Sequence, residues 1–121
     1  MKLSDTPVVA TVLEAVDRAR LDAAAEGCFA ALHTGTVREA LRTVRERPIH
    51  AVLVSPSCVP REHLAGIARL VKSFPAVPTV AVVSRHDGQS SERLLDFGAT
   101  GVQRFVDLSA RDGWRDRRAH V

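Results

Sequence analysis

Cysteine is nearly absent, with Cys28 and Cys58 the only two among 121 residues. Two thiols thirty positions apart have neither the spacing of a metal-ligand set nor the number for a disulfide framework. Both are expected as small, buried apolar residues of a protein in a reducing cytosol. Long apolar runs are also missing. The run after Pro7 ends at Glu14, too short for a membrane span and wrongly flanked for a signal peptide. No membrane partner is expected, and the expected location is cytoplasmic. Aromatics are scarce, with no Tyr and one Trp, yet apolar residues reach 45%, an ordinary globular composition that argues against disorder. Excess charge of one sign is slight. The formal net charge is +3, and part of it lies in the tail, where Arg111, Arg115, Arg117 and Arg118 stand against Asp112 and Asp116. Nucleic-acid binding by the body itself is therefore a weak reading.

What is present is a regular alternation of short β-branched runs and amphipathic stretches. Residues 7–13 read as a strand buried on both faces. Asp17 can cap a helix running to about Glu26, with Leu21, Ala24 and Ala25 on one face and Gly27 ending it. Residues 28–32 read as a second strand. Thr36-Val-Arg-Glu39 is a capping box, in which a hydroxyl and a carboxylate each satisfy a free backbone donor. Val37, Ala40, Leu41 and Val44 follow at helical spacing until Pro48 stops the helix. Residues 49–54 make the third strand. After the loop from Ser55 to Pro60, a long helix shows Leu64, Ile67, Ala68, Val71 and Phe74 on one face. Residues 79–83 are the fourth strand. Ser90 or Ser91 opens a helix with Leu94, Leu95 and Phe97, ended by Gly98. Residues 101–106 alternate enough for an edge strand. Ser109 to Asp112 is a second capping box, opening a last helix with Trp114 and Val121.

Five strands, each followed by a helix, imply an α/β fold. The expected architecture is a doubly wound five-stranded parallel sheet of order 2-1-3-4-5 with helices on both faces. No repeat, low-complexity tract or second domain interrupts residues 1–121, which are expected to form one domain.

Particular stretches carry a family resemblance across nearly the whole chain. These are Ala51-Val-Leu-Val-Ser-Pro with Pro60 beyond it, Pro78-Thr-Val-Ala-Val-Val-Ser84 and, most specifically, Leu94-Leu-Asp-Phe-Gly-Ala-Thr-Gly101. With the βα rhythm, they make the chain resemble the receiver domain of bacterial response regulators, the CheY-like domain. In a working receiver an acidic pair after the first strand binds magnesium beside an aspartate that ends the third. A hydroxyl ending the fourth strand and a lysine in the fifth contact the phosphoryl group.

Here the acidic position offers Glu14, followed by Ala15. The third strand ends in Ser55, or in Pro56 if the match is anchored on Pro60. Ser84 keeps the hydroxyl, and the lysine position falls on Phe105 with Val106 after it. Glu14, Ser55, Ser84 and Phe105 thus mark a degenerate phosphorylation pocket. A carboxylate nucleophile and a magnesium oxygen cage both lack their residues. No catalytic residue, metal or cofactor is expected.

Other chemistry is sparse. His33, His50, His63, His86 and His120 are scattered, with no pair at helical ligand spacing. Cys58 has no histidine placed by sequence to activate it. Asp87-Gly88 and the glycines of Gly98-Ala-Thr-Gly101 are turn chemistry and make no phosphate loop. Arg38, Arg42 and Arg45 stripe the second helix among Glu39 and Glu46, which reads as a solvated face.

The resemblance then implies a pseudo-receiver, a regulatory and dimerisation module of a bacterial transcription or signalling regulator. Its output would be the surface of the fourth helix, fifth strand and fifth helix, engaging a second copy or a protein partner. Arg93, Arg104, Asp107, Asp112 and Trp114 are the candidate interface residues. The chain stops at Val121 in an uncapped helix, as a fragment would, and DNA would be bound only by a helix-turn-helix output domain outside this chain. An alternative is a small-molecule sensor with an apolar site around Glu14, Ser55, Cys58, Ser84 and Phe105. An α/β enzyme using Cys58 or Ser55 ranks last, for want of an acid–base partner.

Overall fold

The β-branched run after Pro7 forms β1 (Val8–Val12), and the side-chain period of two divides it between the faces of a sheet. Ala10 and Val12 enter one core, Val9 and the following Leu13 the other. The computed structural model describes residues 6–83, 91–102 and 104–107. Its further elements are α1 (Ala15–Ala25), β2 (Ala30–His33), α2 (Val37–Glu46), β3 (Ala51–Val54), α3 (Leu64–Ser73), β4 (Thr79–Val83), α4 (Ser91–Gly98) and β5 (Arg104–Asp107). Two short 3-10 turns, Pro56–Cys58 and Arg61–His63, fill the loop between β3 and α3.

The five strands make one sheet of order β2-β1-β3-β4-β5, and each neighbouring pair is parallel. This is the expected doubly wound topology. The larger core packs α2 and α3, through Leu41, Val44, Ile67 and Leu70, with Phe97 of α4 against one face of the sheet. The smaller core packs Leu21 of α1 on Val9, Leu13 and Val82 of the other face. Each fully buried Val, Leu, Ile or Phe side chain contributes roughly 1.5–3 kcal/mol. β1 and β4 are buried along nearly their whole length, while β2 at one edge is half exposed.

The capping box forms at α2. The Glu39 amide donates to Thr36 Oγ1 at 3.1 Å, and Glu39 Oε1 accepts from the Gly35 amide at 3.1 Å, one residue earlier than the usual reciprocal arm. Other expectations shift. Asp17 does not cap α1. The helix starts at Ala15 with Glu14 at the capping position, and Asp17 lies buried in its first turn. β2 begins at Ala30, later than expected. Gly27 adopts φ +77°, and the amides of Cys28 and Phe29 turn back onto the Ala25 carbonyl. Cys28 is consequently exposed on that turn and Cys58 only partly buried, so neither is the enclosed apolar residue expected. β5 begins at Arg104, because residues up to 101 finish the turn after α4. The Thr100 and Gly101 amides donate to the Phe97 and Gly98 carbonyls, and Gly101 takes φ +106°. The expected last helix, with its capping box and Trp114, lies outside the described residues.

Candidate functional site

Open α/β sheets place their chemistry at the carboxyl ends of the strands, and here β1 and β3 end side by side. Register pairs Val12 with Val54, and the Ser55 amide continues the ladder to the Val12 carbonyl at 2.8 Å. Glu14 therefore leaves β1 next to the point where Ser55 leaves β3. One turn into α1, Asp17 returns to the same place, since residues three apart share a helix face.

Ser55 is 0% exposed and Asp17 1% exposed. The Ser55 hydroxyl donates to Asp17 Oδ2 at 3.2 Å, and the Arg20 guanidinium lies 3.8 Å from Asp17 Oδ1. A buried carboxylate requires such partners. Above this pair, the Ser57 hydroxyl donates to Glu14 Oε2. Cys58 follows on the 3-10 turn. Burial raises its thiol pKa, and the Glu14 and Asp17 carboxylates raise it further, against smaller opposing effects from Arg18 and the hydrogen bond of Ser57. That environment favours the protonated thiol, the opposite of an activated nucleophile.

Two acids thus stand after β1, whereas the sequence pattern offered Glu14 alone. Asp17 was missed because its spacing from Glu14 suited a helix cap equally well. The signal that finds it is the i, i+3 relation of two carboxylates at the start of a helix. Among the described residues no cluster of three or more His, Cys, Asp and Glu side chains is placed to hold a metal ion. The receiver's magnesium set does not fit these residues. No carboxylate follows β3, where the chain continues as Ser55-Pro56, and the two carboxylates after β1 already accept hydroxyl hydrogen bonds.

Of the other predicted pocket residues only Phe105 is described. Phe105 sits on β5, with β4 between it and the strand that leads to Ser55, and is 42% exposed. Ser84 lies outside the described residues. The expected interface is described in part. Arg104 is exposed on β5. Asp112 and Trp114 lie outside the described residues, as do the side chains of Arg93 and Asp107. On the same two elements Leu95 of α4 is 74% exposed, and Phe105 and Val106 of β5 are also open to solvent. Sequence periodicity puts Leu94, Leu95 and Phe97 on the helix as its apolar residues; of these three only Phe97 is buried. No helix among the described residues is long and apolar enough to cross a membrane.

These elements define a doubly wound module with the receiver order of strands. No protein-family model matches the sequence, and no curated protein does. Solved structures match its fold. A response regulator from Thermotoga maritima superposes with a TM-score of 0.72 at 19% identity, over 95% of this chain and 95% of that one. A CheY-like protein from Pseudomonas aeruginosa PAO1 gives 0.68 at 17% identity, over 96% and 98% of the two chains. A putative pilus assembly protein from Burkholderia thailandensis gives 0.64 at 18% identity, also over 96% and 98%. The chain has the fold of a receiver domain.

Proposed function

We propose that this chain is a pseudo-receiver, a single-domain regulatory module of a bacterial transcription or signalling protein that works through its surface and not through phosphotransfer. The observation that carries the reading is Ser55. It directly follows β3, at the position that the resemblance gives, together with Pro56, for the phosphoacceptor aspartate; it is fully buried, and its hydroxyl is committed to Asp17. An acyl phosphate forms only on a carboxylate, and the lysine position holds the apolar Phe105. The module has no catalytic group, works in the cytoplasm and binds DNA only through an output domain outside this chain. Exposed Leu95, Phe105 and Val106 support association through α4 and β5, with a second copy or another protein. The likeness to a pilus assembly protein favours a second setting, in which the same surface docks the module into an assembly machine.

The test is amide NMR of the chain titrated with acetyl phosphate, or beryllofluoride, in the presence of magnesium. Shifts at Ser55, Asp17 and Ser84 are expected to stay unchanged. Saturable shifts clustered at those residues would restore a phosphotransfer function and end the pseudo-receiver reading.

A further inference from the structure

A cavity of about 700 Å³ opens between α2 and α3, away from the strand-end cluster. Its α2 wall carries Arg38, Arg42 and Arg45, and its α3 wall carries Arg69; Glu62 and His63 line it from the 3-10 turn before α3. The charge is one-sided, four guanidinium groups against one carboxylate. Glu39, which the sequence pattern sets among these arginines as a neutralising partner, is turned away to the Gly35 amide and the Thr36 hydroxyl at the helix cap. Among the described residues none of the four arginines makes an ion pair. The floor is different in character. Val37 and Leu41 line it beside Gly66. A side chain at Gly66 would bring its Cβ to 2.8 Å from Val37 Cγ1, so a glycine here lets the two helices meet at the base of the groove.

We infer that this groove is a docking site for an acidic, amphipathic segment of a partner polypeptide. Arg38, Arg42 and Arg45 follow the i, i+4, i+7 spacing, which spreads their positions over about 10 Å of helix. That span exceeds a single phosphate and matches glutamates placed one turn apart on a facing helix. Guanidinium forks take carboxylates in paired hydrogen bonds. The apolar floor accepts leucine-sized side chains between the acids, a surface that a duplex phosphate backbone would leave unfilled. No Phe, Tyr or Trp side chain lines the groove to give a nucleobase a stacking platform. The site is independent of the strand-end chemistry and holds whether or not Ser55 is inert.

The probe is a synthetic helical peptide with glutamates at i, i+4 and i+7 and leucines between them, titrated into the full chain and followed by amide NMR. Saturable shifts are expected at Val37, Leu41, Gly66 and Arg69, with Ser55 unmoved and affinity falling as salt rises. Arg42→Glu and Arg69→Glu should each weaken binding roughly ten-fold. Both side chains are exposed, so the melting temperature should hold; Arg38→Glu serves as the second variant if either fails to fold. Unchanged affinity in the charge-reversal variants overturns the inference. So does equal binding of the peptide with lysines in place of its glutamates, or a duplex DNA that saturates the same amides more tightly than the peptide.

Discussion

Asp17 and Cys58 owe their character to their surroundings more than to their residue type. Asp17 is a surface residue by composition, yet it is held under α1 by Ser55 and faced by Arg20. Nothing in the spacing of Glu14 and Asp17 separates a cap from an inward acid; only the end of β3, 38 positions beyond Asp17, decides between them. The sequence told that the third strand ends without an aspartate, and it could not tell that the hydroxyl there would find a carboxylate from α1. Cys58 makes a testable contrast with Cys28. At neutral pH iodoacetamide should modify exposed Cys28 well before Cys58, whose thiol is held protonated by burial and by Glu14 and Asp17. Mass spectrometry of partly alkylated protein reads the order directly, and a faster Cys58 would contradict the site's electrostatics. The raised pKa also fixes a pH dependence. An acid whose folded pKa exceeds its unfolded value stabilises fully below the unfolded value, and that stability is lost as pH rises through the folded one. Urea melts should therefore show an alkaline decline above the ordinary thiol pKa that is smaller in Cys58→Ala.

At the scale of elements, strand and helix identities were legible because periods of two and of 3.6 residues are written in the apolar pattern, as in the alternation of β1 and the Val37, Ala40, Leu41, Val44 stripe of α2. Boundaries were less so, since they depend on where a turn spends its residues. The stretch from Leu94 to Gly101 shows why. Its two glycines look alike in sequence, and helix termination was expected of Gly98. In the structure α4 does end at Gly98, but the left-handed residue is Gly101, at φ +106°, where a Cβ would lie 2.9 Å from Val71 Cγ1. The next strand consequently starts three residues later than the sequence pattern suggests. Gly101→Ala should destabilise the fold by about 1–3 kcal/mol through strain and overpacking together. Gly98→Ala meets nothing within 4 Å and should be neutral, or stabilising by up to about 1 kcal/mol through helix propensity. Paired thermal melts separate the two, and equal losses would refute the distinction.

Among the described residues, three surfaces differ in charge and polarity: the strand ends after β1 and β3, the arginine groove and the exposed apolar side chains of α4 and β5. The last bears on self-association. Leu95 at 74% exposed and Phe105 at 42% lie on the same two elements as exposed Arg104, so an interface formed by α4 and β5 would combine apolar anchors with charge, the arrangement in which a few central side chains carry the energy. Exposed ion pairs contribute about 0–1 kcal/mol each, whereas fully burying a leucine or phenylalanine gains roughly 1.5–3 kcal/mol. Sedimentation velocity on the wild-type chain should therefore show a concentration-dependent dimer. Arg104→Glu should weaken it modestly and make it more sensitive to salt, while Leu95→Glu should abolish it. Neither residue supports the core, so both variants should melt with the wild type, and a dimer lost through unfolding would be recognised at once. The apolar substitution must outweigh the charged one; the reverse order would move the interface off α4 and onto the charged rim. A wild-type chain that stays strictly monomeric at high micromolar concentration would remove the second copy as the occupant of this face and leave a different protein to cover Leu95 and Phe105.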